Sequence, residues 1–174
     1  QQLADAGADA KVVHLDLAEN ALAIAEARVA ARGLRNVHFV RASLLDLPSL
    51  GLGRFDYVDC CGVLHHLDDP TAGLAMLADA LADAGGMGLM VYAPFGRTGV
   101  YPAQAMLRMI GRDEADPVRV DLARRLVSAL PPTNWLKRNP FVGDHLGLGD
   151  AGLYDLLLHA RDRAYTVPEL ADLV

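Results

Sequence analysis

FDYVDCCGVLHHLDDP, residues 55–70, decides how the rest of the chain is read. Apart from Asp56 and Asp59, residues 55–61 are aromatic, β-branched and thiol side chains of the kind that fill a strand, and Gly62 stops the run. From residue 70 onward Leu74, Leu77 and Leu81 share one face at helical spacing, which predicts a helix over 70–84 ended by Gly85-Gly86. The next apolar run, MGLMVYA at 87–93, predicts another strand. Strand, turn, helix and strand in that order predict two parallel strands joined by a crossover.

Moving toward the N-terminus, the same alternation repeats. KVVHLDL at 11–17 predicts a strand ending at Asp16, and Gly7-Ala8-Asp9 before it reads as the exit of a helix ending near Ala6. Leu22, Ala25 and Val29 predict a helix over 18–32, with Gly33 where a left-handed cap belongs. NVHFVRA at 36–42 predicts a second strand, and 43–54 is turn-rich. Four strands separated by helices predict an α/β fold, an open and mostly parallel sheet flanked by helices.

Toward the C-terminus the pattern changes. Residues 106–110, 117–130 with Asp116 as cap, and 150–160 predict short helices between Pro/Gly-rich turns, and no strand is legible there. Thr166-Val-Pro-Glu169 has capping-box spacing and opens another helix. The division that follows is a cofactor-binding core over 1–96, a helical lid or substrate cap over 97–163, and the start of a further core helix over 164–174. The chain opens on Gln1 in what reads as mid-helix and stops inside its last helix. It is therefore read as an incomplete domain, an interior piece lacking a first strand and its loop.

Composition narrows the functions. The 174 residues are 52% hydrophobic and 22% charged, which suits one ordinary globular core rather than disorder or a disulfide scaffold. A net charge of −6, with arginines scattered, gives no footprint for nucleic acid. No apolar run approaches the roughly 18 residues of a membrane span, and no export signal is legible. Adjacent Cys60 and Cys61 fit neither a redox pair nor a zinc half-site, so a reducing, cytoplasmic setting is expected.

In open α/β sheets ligands lie beyond the carboxyl ends of strands. Asp16 stands at such an end, where a carboxylate accepts hydrogen bonds from ribose hydroxyls; the alternative is a solvated charge favoured by the following helix dipole. Ser43 and Leu44, in a turn after the second strand, would let a flat base meet the backbone. Cys60 and Cys61 read either as strand-end contacts or as small buried hydrophobes, and Gly62 permits close approach. His65 reads as a base, a substrate contact or a structural histidine. A metal held by His65 and His66 with Asp68 and Asp69 is not expected, since adjacent side chains diverge on a regular backbone.

Taken as a set, VVHLDL, NVHFVRASLLDLP, FDYVDCCGVLHHLDDP and GGMGLMVYAP, spread over residues 1–96, resemble the class I S-adenosylmethionine-dependent methyltransferases, especially bacterial members carrying a methyltransferase domain. The resemblance implies a Rossmann-like sheet and S-adenosyl-L-methionine as cofactor. It places Asp16 on the ribose, Leu17 against the adenine, and Ser43 where the family often has an aspartate to the adenine amino group, with Leu44 supplying an amide. Cys60, Cys61 and Gly62 fall near the cofactor's methionine portion, and His65 where substrate approaches. His65 and Tyr92 are the candidate bases, and a lid carrying Arg97, Tyr101 and Trp135 suits an anionic or partly apolar small-molecule acceptor. A glycine-rich loop, which opens the family's domain, does not precede these segments. Exposed sheet edges would favour a homo-oligomer. Two other readings stand: a nicotinamide-dependent oxidoreductase, which shares the ribose carboxylate, and a non-catalytic α/β scaffold.

Overall fold

The computed structural model describes residues 10–174; the expected helix ending near Ala6 lies outside them. Two compact units divide the described chain: residues up to Asp59 with Asp69–Gly88, and Cys60–Asp68 with Leu89–Val174.

In the first unit, strand β1 (Val12–Asp16) leads through helix α1 (Glu19–Ala31) to β2 (Val37–Arg41). The strands pair in parallel, Val12 opposite Val37 through Asp16 opposite Arg41. The Ala18 amide donates to Asp16 Oδ1 at 2.8 Å, so the residue that ends β1 also holds the entry to α1. Gly33, at φ 67°, closes the helix as expected. After β2 the turn-rich stretch forms a 3-10 helix over Leu44–Leu50, started by a capping box between Ser43 and Asp46.

Strand β3 (Phe55–Cys61) lies where the sequence puts it. Helix α2 (Pro70–Asp79) is shorter than expected, and β4 (Leu81–Met90) both begins and ends earlier. The correction has a physical cause. The Phe55 amide donates to the Ala80 carbonyl at 2.8 Å, which draws the chain into the ladder directly after α2. Gly85 does not end a helix: a Cβ there would stand 2.9 Å from the Phe55 carbonyl oxygen, so only glycine fits against β3. Tyr92 consequently follows the strand rather than belonging to it.

The sheet is not continuous among the described residues. Its strands form two pairs, β1 with β2 and β3 with β4. Those are the pairings that the second to fifth strands of the doubly wound order 3-2-1-4-5-6 make among themselves.

The second unit carries α3 (Val100–Ile110), α4 (Asp116–Ala129), α5 (Trp135–Arg138), α6 (Asp144–Gly147), α7 (Gly149–Leu157) and α8 (Val167–Leu173). Its core joins Val100, Ala103 and Leu107 of α3 to Ala123, Leu136 and the run Leu153, Leu156 and Leu157 of α7. Each fully buried leucine contributes about 1.5–3 kcal/mol. Asp116 lies inside α4 rather than capping it; its carboxylate takes Arg119 at 2.9 Å, and Ala115 is the cap. The Thr166–Glu169 capping box forms as expected. The four-residue helices α5 and α6 are too short to leave a periodic signal in the sequence. No described helix is long and apolar enough to cross a membrane.

Candidate functional site

The strand ends of the first unit assemble the residues expected to hold a nucleoside. Asp16 faces Arg41 across the β1–β2 pair, and the Ala42 amide donates to the Asp16 carbonyl at 3.2 Å. The β1 carboxylate and the turn at Ser43 are therefore neighbours. A carboxylate has about four acceptor positions and Ala18 takes one, so capacity for two hydroxyl donors remains. Leu17, beside it, is 68% exposed, an apolar surface that solvent would not otherwise favour.

Ser43 does structural work the sequence reading left open. Its hydroxyl oxygen accepts the Leu45 amide at 3.2 Å, and its own amide donates to Asp46 Oδ2 at 3.3 Å. The side chain thereby fixes the 3-10 turn, and Leu44 at its first position presents an N–H that the helix itself cannot use.

In the second unit, Cys60 is buried and Cys61 exposed. Gly62 has φ 79°, a region that side-chain-bearing residues rarely adopt, and its amide donates to the Met90 carbonyl at 3.0 Å. A Cβ at Gly62 would meet only the tip of Met90, so the requirement is conformational and the backbone stays open to approach.

Just beyond it the structure brings together the two expected bases. His65 sits in the short 3-10 turn Leu64–His66 and is 1% exposed. Its ring packs on Tyr92, centroids 4.0 Å apart, and Arg97 covers Tyr92 with its guanidinium 3.8 Å from the ring centroid. Neither His65 nitrogen has a hydrogen-bond partner among the described residues, and the Tyr165 hydroxyl is likewise buried without one. Burial, then the neighbouring His66, lowers the His65 pKa to about 4. Burial raises that of Tyr92, so the phenol keeps its proton.

Beneath this stack lies a buried ion pair. Arg97 Nη2 meets Asp162 Oδ2 at 2.5 Å, with both side chains almost fully buried. Gln104 Nε2 donates to the same oxygen at 2.8 Å and to the Leu156 carbonyl at 2.9 Å. Arg97 is thus an anchor rather than an open lid residue. Trp135 is the reverse, 68% exposed, lining a cleft of about 370 Å³ with Gly99, Pro102, Met106 and Asn134. That volume falls in the range of small-molecule sites. The backbone of 163–165 is tied to the same region, the Arg163 amide donating to the His65 carbonyl at 3.1 Å and Tyr165 to Tyr92 at 2.8 Å.

Gln104 and Asp162 escaped the sequence reading. Gln104 carries a faint signal, a polar residue on a helix face otherwise occupied by Val100, Ala103 and Leu107. Asp162 carries none, because its partner lies 65 positions away.

Comparison with known proteins agrees with this architecture. A family model described as a methyltransferase domain matches residues 1–87. The uncharacterized protein syc1184_c of Synechococcus sp. is 36% identical over 139 residues, which is 78% of this chain and 33% of that protein. PKMT2 from Rickettsia typhi in complex with AdoHcy superposes with a TM-score of 0.65 at 16% identity, covering 94% of this chain and 33% of that one. A second structure of PKMT2 from the same organism gives 0.62, again at 16% identity, over 94% of this chain and 32% of its own. The chain thus spans about a third of the length of these relatives. The likeness in structure establishes the class I methyltransferase fold, and since the family model matches half of its residues, this chain belongs to the methyltransferase-domain family.

Proposed function

We propose that the protein transfers a methyl group from S-adenosylmethionine to a small-molecule acceptor. The observation that carries the reading is the Asp16 carboxylate, held at the end of β1 by the Ala18 amide and set beside the turn that follows β2. It has the acceptor capacity that a ribose diol requires. Leu44 and the exposed Leu17 suit an adenine, one by an amide and the other by an apolar face. AdoHcy bound to the Rickettsia typhi neighbour supports the same cofactor. Cys60, Cys61 and Gly62, at the end of β3, are the proposed contacts for its methionine portion.

The cofactor supplies an activated methyl group on sulfur, and the chain's task is to align the acceptor and exclude water. His65 suits the acceptor side. It is neutral where it lies, and its unpartnered nitrogens suit orienting an acceptor hydroxyl or amine; as a base it requires a bound acceptor to offset the burial that holds its pKa at about 4. Tyr92 keeps its proton and offers a wall and a donor. The 97–163 segment, which packs with His65 in one unit, is the proposed acceptor cap; a partly apolar acceptor suits the Trp135 cleft, and the anionic expectation loses its cation because Arg97 is committed to Asp162. Partners in nucleic acid or membrane form no part of this reading, which places the protein in the cytoplasm of a bacterium; self-association through sheet edges is an accompanying proposal that sedimentation tests.

Thermal shift with S-adenosylhomocysteine and, separately, NAD tests the function. A rise in Tm with the first alone is expected. A rise with NAD alone would return the nicotinamide reading, and no response to either would favour a scaffold.

A further inference from the structure

We propose that His66, Asp155 and His159 form a binding site for a divalent transition metal of the zinc class, independent of the methyl-transfer reading. One ligand atom from each residue lies within 4.8 Å of the others, and all three residues belong to the second unit. Asp155 lies in the last turn of α7, and His159 stands just past the helix, beyond the Leu158 cap, where the chain leaves it. His66 comes from the turn that also carries His65. Adjacent residues cannot share a metal readily, but here the second and third ligands come from 89 and more positions away along the chain.

One of the two imidazoles is already oriented. His66 Nδ1 stands 2.6 Å from the Arg161 carbonyl oxygen, which can only accept. His66 must therefore carry its proton on Nδ1, leaving the Nε2 lone pair for a metal, and a carbonyl in this role is the usual outer partner of a metal-bound histidine. The Arg161 amide donates to His159 Nδ1 at 3.3 Å, so Nδ1 holds that ring's lone pair and a metal there would replace this long contact. The Arg161 backbone thus touches both rings, which lie 3.7 Å apart and nearly parallel. Two protonated imidazoles at that spacing would repel, whereas two neutral ones with a carboxylate make a nitrogen-rich set suited to zinc.

The fit requires the two rings to turn out of their stack, so that their lone pairs converge on one ion. Metal bonds of about 2.0–2.1 Å in a tetrahedral site put ligand atoms about 3.3 Å apart, closer than the present upper limit. His66 and His159 are half-buried and Asp155 exposed, so side-chain rotation can close the gap. Three protein ligands leave a fourth position for water or another ligand. Arg161 also pairs with exposed Asp68 at 2.5 Å, a carboxylate near the site that is not one of its ligands and serves as a control.

Chelator-treated full-length protein titrated with Zn(II) by calorimetry, and with Co(II) by visible absorption, tests the proposal. One equivalent should bind with micromolar or tighter affinity, releasing protons, and Co(II) should develop a tetrahedral ligand-field band. His66→Gln, Asp155→Asn and His159→Gln should each weaken binding at least tenfold, while Asp68→Asn and Cys61→Ser should leave it unchanged. Circular dichroism identifies a variant that has lost its fold, and the remaining two ligand variants then decide. Binding weaker than millimolar, ligand variants with parental affinity, or a thiolate-to-cobalt band lost in Cys61→Ser would each overturn the assignment.

Discussion

The strand ends of the first unit and the histidine-tyrosine stack of the second differ in how their polar groups are held. In the first, the Asp16 carboxylate and the Ser43 hydroxyl each accept the amide two residues on, so each side chain is positioned by its own turn. In the second, His65 and Tyr92 are positioned by contacts across the chain, down to an Arg97–Asp162 pair that is out of water. Local geometry survives most substitutions elsewhere. A buried network fails when one member is removed, because the other charge is left uncompensated.

The largest expected effect follows from that contrast. Asp162→Ala should destabilise the protein by about 3–5 kcal/mol, as breaking one side of a buried pair does, with Arg97 left unpaired. Denaturant unfolding measures it, and a loss under about 1 kcal/mol would show that the pair is solvated in practice and that the contrast is false.

The pH response sharpens the same comparison. His65 binds a proton at about pH 4 when folded and near its ordinary 6.5 when unfolded, so between those values the unfolded chain holds more protons. Stability should therefore fall as pH drops from 6.5 to 4, by up to about 3 kcal/mol for this group. Burial lowers His145 as well, adding a loss of the same sign. Unfolding in the presence of a chelator, compared between the parent and His65→Gln, isolates the His65 part; equal pH slopes would place its ring in water.

The smallest effect belongs to a locally held group. Thr166→Ala removes an exposed capping box on α8 and should cost about 1 kcal/mol. A loss as large as that of Asp162→Ala would mean that local caps are not the weaker kind of support.

The same difference explains what was legible in the sequence. β1, α1, β2 and β3 came through within a residue or two, because strand composition and helix periodicity are local properties. The end of α2 did not, because the Phe55–Ala80 bond that stops it joins two distant segments. Asp16 could be named from its place at a strand end. The contact of His65 with Tyr92 could not be read from spacing, and the roles of Gln104 and Asp162 depend on packing between α3, α7 and the segment that follows.

Calorimetric titration of full-length protein with S-adenosylhomocysteine, parent against Asp16→Ala, tests the central claim most directly. Loss of the charge-assisted hydrogen bonds to ribose should weaken binding by about 1.5–3 kcal/mol, roughly ten- to a hundredfold, with the fold intact. Parental affinity in the variant, or no binding by the parent, would contradict the account.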